Sequence, residues 1–474
     1  MATVITDVTQ LQAMENDLTE DYELGGNIDA SATSGWNGGL GFDPILAFNG
    51  SFDGNGYTIN DLFINRPTEG YVALFGWTNT SCGNIQNVGI VDCDMSGKFD
   101  VAALIGYHLP AVGSVVSNCY STGSIAGTQF GIAGLVGYNF RAITDCYSTC
   151  SVTCTGGAGH ARGTAGLVGY NDGAGAITRC YASGNVTATS DANVSLIGGL
   201  VGSIPSTGQI TLSFATGNIS VTAGTTTLEI GGFGGFCAGA GGDITNCYAR
   251  GSVTVSAGDT SLGNIGGFAG SLQNSTIDDC YSTGAISVTE GIPNVGGFCG
   301  INSDTITNCF WDTQTSGMAT SDGGTGKTTA QMKTEATFTD AGWEFATIWR
   351  IKSTFNDGYP YLRWGLFSIW LESGDTRVHF ISEFGEKVIS GSDTGVDTTA
   401  KLLFVQGQYL HWVDLSGNEI RKRGRLTGIT GKTPFDTWIN KEKVDYIDAN
   451  GDERYLPLTS ITNSAFLNEV IFNG

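Results

Sequence analysis

Three short apolar phrases recur in a fixed order along most of this 474-residue chain, and that order constrains its fold more than any other feature. The first phrase is an isoleucine or valine, two spacers and a small residue, the last filled by Leu62, Val88, Cys119, Cys146, Cys180, Ser213, Cys247, Cys280 and Cys309. The second supplies a valine or isoleucine six residues later, at Ile125, Val152, Val186, Ile219, Val253 and Ile286. The third precedes the first in most copies, as ALFGWT (73–78), ALIGYH (103–108), GLVGYN (134–139 and 166–171), GLVGSI (199–204), GGFAGS (266–271) and GGFCGI (296–301). Successive copies are 26 to 34 residues apart.

Apolar runs this short, separated by Gly, Asn, Ser and Thr, do not suit helical repeats. They suit a solenoid, in which each coil covers the open face of the one before. We therefore expect an all-β protein. Its body should be a right-handed parallel β-helix of about nine coils with three strands each, a rod on the order of 45 Å long at about 4.8 Å per coil.

Alternate residues of a strand face opposite ways. The small residue of the first phrase should then form an interior column, with Cys119, Cys146, Cys180, Cys247, Cys280 and Cys309 as buried structural thiols. The aromatic residue after it, at Tyr120, Tyr147, Tyr181, Phe214, Tyr248, Tyr281 and Phe310, should point outward as a row that could stack on sugar rings or on itself. The opposite assignment, with the tyrosines inside, stays open. The isoleucine three residues earlier has the tyrosine's parity, so a bend is required at the intervening Asn or Asp.

Composition limits the function. Seventy-two glycines and only 14% charged residues describe a turn-rich, strand-rich chain, too apolar to be disordered. A net charge of −23 leaves nothing to neutralise a phosphate backbone, so nucleic acid is not an expected partner. No apolar run is long enough to insert in a membrane, and the first residues lack a signal-peptide pattern. Without an export signal the twelve cysteines read as reduced thiols. Disulfides between coils remain an alternative, although adjacent rungs hold Cβ atoms farther apart than such bonds prefer.

The GLVGYN phrase followed by an ITxCYSTGSV-like phrase resembles the GLUG-motif repeat of bacterial and phage surface proteins. So do the lead-in YELGGNIDAS with FNGSFDGNGYTINDLFI, and the closing WEFATIWRI with DGYPYLRW. The resemblance covers about residues 20–364. It implies a parallel β-helix on an exposed surface or appendage, adhesive or structural, with no catalytic residues.

Four segments follow. Residues 1–19 hold an amphipathic cap helix (6–18), with Thr6 or Asp7 as N-cap. Residues 20–320 are the solenoid. In 321–364, Trp343, Phe345, Ile348, Trp349, Tyr359, Tyr361 and Trp364 form an aromatic closing cap. Residues 365–474 carry three hairpin signals, HFISEFGEKVIS, HWVDLSGNEIRKRG and DYIDANGDERYLPL, and should form a small antiparallel β domain.

Chemistry is weakly signalled. SDGGTGKTTAQMK (321–333) lacks the first glycine of a phosphate loop and the strand that would feed it. Cys146, Cys150 and Cys154 near His160 lack zinc spacing. Asp53 in DGNG and the acids of DCD (92–94) read as turns rather than calcium ligands. The acids Asp145, Asp243, Asp278 and Asp279 sit at bends, not in a converging pair. No metal, cofactor or catalytic residue is expected. The favoured reading is a non-enzymatic virion component, tail or fibre-like, assembled in the cytoplasm. Its C-terminal domain would contact other virion or surface proteins, host glycan is a candidate ligand, and a homotrimer is expected. A cell-surface adhesin module is the alternative, and a polysaccharide-degrading β-helix enzyme the next.

Overall fold

The computed structural model describes residues 2–363, apart from 110–112, 157–159, 174, 191–192, 225–227, 238–241, 259–262, 289–291 and 354–355. Beyond them it describes the backbone of strands between Ser368 and Pro457. The chain divides into two compact units, 1–343 and 344–474.

The first unit is a parallel β-solenoid. One sheet has eleven strands, running from Thr3–Ile5 to Thr305–Thr307. A second, built from the GLVGYN phrase, has eight, from Phe75–Trp77 to Cys299–Asn302, which corresponds to about eight turns. A third carries the Cys-Tyr and valine phrases. Pairing is in register, so each residue meets its own copy: Ile143 opposite Ile177, then Ile210, then Ile244.

The expectation of three strands per coil needs correction. A further sheet of six, from Phe130–Ala133 through His160–Ala165 and Asn193–Gly198 to Asn294–Gly296, lies between the valine and GLVGYN strands. Its sequences (FGIA, HARGTA, NVSLIG) share no phrase, which hid them in stretches read as loops.

The bend that strand parity demanded is a left-handed residue just before each cysteine position. Asn118, Asp145, Arg179, Leu212, Asn246, Asp279 and Asn308 have φ between 51 and 56°. Asn and Asp tolerate this region best. The turn lets Ile143 and Cys146, three apart, both face the interior, where both are buried.

One group of polar side chains enters the interior as a ladder. His108, Asn139 and Asn171 are buried at the end of the GLVGYN phrase. The Asn139 amide donates to Asn171 Oδ1 (2.7 Å) and to the Arg141 carbonyl (2.6 Å), so its own oxygen accepts from His108 Nδ1–H at 2.7 Å. The phrase's second glycine is obligatory on packing grounds. A Cβ on Gly169 would lie 2.5 Å from the Gly137 carbonyl oxygen and 2.7 Å from that of Gly163.

At the N-terminal end, the chain first adds strand Thr3–Ile5 and then a helix, Val8–Ala13, with a 3-10 turn at Met14–Asn16. Asp7 caps it by accepting from Gln10 N at 2.9 Å, and Val8, Leu11 and Met14 are buried. At the other end Thr325–Lys327 pairs with Phe310–Asp312, so the glycine-rich segment closes a rung. Helix Glu335–Thr339 brings Phe338, with Trp343, onto the rings of Tyr281 and Phe310.

In the second unit Trp349–Arg350 pairs antiparallel with Tyr361–Leu362, and Trp349, Tyr359 and Tyr361 are buried. Trp364 lies outside the described residues. The backbone then forms three successive antiparallel meanders. Their first strands are Ser368–Leu371, Leu403–Gln406 and Thr437–Asn440, and each runs into one of the three hairpins.

The buried ladder carries a pH signature. Burial, reinforced by the charge of Arg141, pushes His108 down to about 4. An unfolded histidine titrates near 6.5. Between about pH 6.5 and 4 the unfolded chain therefore takes up a proton that the native chain refuses, and this residue's contribution to stability falls with acidification. We predict that His108→Asn, which copies the next coil, reduces the loss of melting temperature between pH 7 and 4.5 relative to the parent. Equal losses in both proteins would contradict the assignment.

Candidate functional site

The structure places the six cysteines of the first phrase inside the solenoid as free, buried thiols. Each adds a hydrogen bond beside the bend. The last carbonyl of the preceding strand accepts a backbone N–H from the adjacent rung, as Thr144 does from Asn118 and Thr245 from Leu212, and the thiol two residues on donates to it as well. Cys146 reaches the Thr144 carbonyl at 3.2 Å, Cys247 that of Thr245 at 3.2 Å and Cys309 that of Thr307 at 3.1 Å. Ser213 does the same to Thr211 at 2.8 Å, which explains its place in the column. Among the other cysteines, burial raises Cys82, Cys154, Cys237 and Cys299 to about 12. Such thiols are poor nucleophiles and poor metal ligands.

The aromatic row needs a correction. Tyr147, Tyr181, Phe214, Tyr248, Tyr281 and Phe310 are buried, and Tyr120 is partly so. They do not join the interior cluster that holds Cys180 and Ala182. They form a layer of their own. From Tyr120 to Tyr281 successive centroids are 4.7–5.1 Å apart, with planes within 10° of parallel. Each ring's faces are therefore covered by its neighbours, and the row offers no open face to a sugar. Alternation fixes the direction of a side chain but cannot say what will cover it.

A second aromatic group is partly exposed. Tyr107, Tyr138 and Tyr170, at the fifth position of the GLVGYN phrase, succeed one another at 5.2 and 5.0 Å. Tyr71 lies edge-on to Tyr107 and to Phe99, and Phe99 stacks on the exposed Phe130 at 5.1 Å. Beside Tyr71 on the next rung is Asp100, left-handed at φ 49° and 3% exposed. Its Oδ1 has no hydrogen-bond partner, and desolvation raises its carboxyl to about 8. The signal for this patch was in the sequence, in the tyrosines of a phrase read only for its apolar residues.

The remaining candidates are structural. Asp145 is held by Arg179 at 2.6 and 2.7 Å across one rung. Asp278 accepts from Asn308 at 3.3 Å, while burial, with the charge of Asp278, raises Asp279 to about 6. Asp53 accepts from Asn55, Gln86 and Asn87, and Asp92 and Asp94 from Thr122 and Ser124. Cys154 donates to the Gln129 carbonyl and Cys146 to that of Thr144, so the run does not converge. Among the described residues no cluster of three or more His, Cys, Asp or Glu could hold a metal ion.

The ladder yields a sharp prediction. The Tyr181 hydroxyl is buried without a partner. An unsatisfied buried group costs about 1–3 kcal/mol. Tyr181→Phe should therefore match or exceed the parent in denaturant unfolding, whereas Tyr181→Ala should lose about 3–5 kcal/mol. A clear loss in the phenylalanine variant would show that the hydroxyl is engaged.

Comparison with known proteins agrees with this geometry. The family model described as the GLUG motif matches residues 160–187 and 261–289. Each match runs from the extra sheet through the GLVGYN-type strand toward the valine strand. "Halomucin" of Haloquadratum walsbyi is 39% identical over 127 residues, 26% of this chain and 1% of that protein. A "Putative Gly-rich membrane protein" of Evansella cellulosilytica is 30% identical over 173 residues, 34% of this chain and 19% of its own length. The chain thus spans a small part of either relative. A solved Bacteroides ovatus structure, named a "putative immunoglobulin A1 protease", is similar at TM-score 0.42 and 19% identity, over 77% of this chain and 92% of that one. At that level it carries no argument here. The chain is a β-solenoid that carries the GLUG motif at two of its repeats.

Proposed function

We propose that this protein is a non-catalytic structural and adhesive rod displayed on an exposed surface. The observation that carries this reading is the division of its residues. The repeat positions bury one another, while a partly exposed aromatic patch from Tyr71 to Tyr170 is left outward. Partly exposed aromatic groups beside polar ones are the usual material of recognition surfaces. The names of the two relatives, a mucin and a membrane protein, support an exposed location. Burial of all twelve thiols removes the objection that free cysteines would oxidise there. Among the described residues no helix is long and apolar enough to cross a membrane.

The finer reading is a virion appendage, a phage tail or fibre-like component. The three antiparallel meanders support it, as a compact module distinct from the rod and suited to contacts with virion proteins or with other copies in a trimer. Host glycan is the proposed ligand of such an appendage.

Labelling separates these readings. An antiserum should stain intact, unpermeabilised cells that make the protein, or particles released from them. Stain on particles alone selects the virion, and stain on cells alone selects the adhesin. Protein confined to the cytosolic fraction would contradict both. Light scattering of the full 49.4 kDa chain should give three times that mass for the trimer.

A further inference from the structure

The partly exposed aromatic rows run on either side of one corner of the coil. Tyr71, Asp100, Gly131 and Gly163 follow one another there on successive rungs, all left-handed, with φ of 60, 49, 68 and 60°. Immediately before the corner stand Phe99 and Phe130, with Arg162 next in register. Beyond it stand Tyr107, Tyr138 and Tyr170. Tyr71 joins the two rows at one end, edge-on to Phe99 at 5.1 Å and to Tyr107 at 6.1 Å.

Of the four corner residues only Asp100 carries a charge. Its carboxyl takes the place that the missing side chain of Gly131 leaves, since a Cβ there would collide with Asp100 Oδ1. Gly163 is covered differently, by the ring of Tyr170. Asp100 Oδ1 therefore lies between the rows, buried and without a hydrogen-bond donor. Acids are almost never fully buried unless paired. The corner itself does not need one, because the next two rungs turn it with glycine.

The surroundings indicate what would pair it. A sugar stacks on open ring faces, but within each row the rings cover one another, at 5.1 Å for Phe99 and Phe130 and at 5.2 and 5.0 Å along the tyrosines. A divalent metal needs several ligands, and among the described residues no group of three or more His, Cys, Asp or Glu could hold one. A cation with an apolar stem suits both parts of the corner. The stem packs along the ring edges, and the charged end supplies the donors that the carboxyl lacks. A net charge of −23 favours such a ligand at longer range.

We propose that this corner binds an alkylammonium group, such as the end of a lysine side chain, with Asp100 as its counter-ion and the rings of Tyr71, Phe99 and Tyr107 around its stem. The inference rests on the reading of the aromatic patch as a recognition surface, and it names the chemistry recognised.

Isothermal titration of the full chain tests it, with n-butylammonium as the probe and n-butanol and methyl β-glucoside as neutral controls. Butylammonium should bind, and the controls should not. Asp100→Asn keeps the shape and suits a left-handed position. It should weaken binding about thirty-fold or more without lowering the melting temperature. Asp94→Asn, which removes an exposed acid from a valine strand, should bind as the parent does.

A pH series adds a second readout. Burial raises the Asp100 carboxyl to about 8, while an alkylammonium stays charged to about pH 10. The phenols that feel its charge, Tyr71, Tyr107 and Tyr170, are held by burial above the ordinary value, so they stay neutral. Asp172, on the Tyr138 hydroxyl, stays ionised, and Arg162 keeps its guanidinium charge. Binding must then ionise Asp100 and release a proton, so affinity should rise about ten-fold from pH 6 to 7, and Asp100→Asn should abolish the rise.

No binding of butylammonium by the parent would overturn the inference, as would undiminished binding by the folded Asp100→Asn variant. Binding of methyl β-glucoside alone would also overturn it, while leaving the patch as a recognition surface. If butylammonium binds as expected, a lysine tripeptide that binds more tightly assigns the group to a protein side chain, and one that binds more weakly assigns it to a free amine.

Discussion

Parallel, in-register hydrogen bonding between successive coils is the constraint on which everything else depends. It sets each residue against its own copy about 4.8 Å away. A position is therefore acceptable only if it tolerates itself. Aliphatic residues do, as in the column Ile143, Ile177, Ile210 and Ile244. Aromatic rings do by offset stacking, and side-chain amides by donating to the next oxygen, as Asn139 does to Asn171. Charges do not. Where they occur at equivalent corners they are opposed, as Arg179 is to Asp145.

The same constraint separates interior from surface functions. A thiol in the cysteine column adds a second hydrogen bond to a backbone carbonyl beside the left-handed corner, which is a local hydrogen-bonding role and not a chemical one. Its burial makes the thiol compatible with an oxidising exterior. The outer faces escape the packing demand but keep the periodicity. They consequently display ordered rows, such as the tyrosines near Asp100.

Much of this was legible in the sequence, for reasons that can be stated residue by residue. The fixed order of three phrases required stacked coils. The parity conflict between Ile143 and Cys146 required a bend, and Asp145 supplies it. The exchange of cysteine with Leu62, Val88 and Ser213 pointed to a small or apolar interior residue. What was not legible depended on partners outside the local pattern. The extra sheet is defined by pairing, not by composition, so HARGTA and NVSLIG gave no shared signal. The burial of Tyr181 depends on Tyr147 and Phe214 above and below it, which a single strand cannot report. The partnerless carboxyl of Asp100 likewise exists only once Gly131 and Tyr71 are stacked around it.

The central claim is that successive copies advance along one axis, and distances between spin labels test it directly. Glu23, Thr144, Thr245 and Thr307 occupy one outward register line, at zero, four, seven and nine rungs. With cysteine labels at Glu23 and each of the others, the separations should rise in proportion, to roughly 19, 34 and 43 Å at about 4.8 Å per rung. Separations that level off or return, as they would around a closed ring of repeats, would contradict the account.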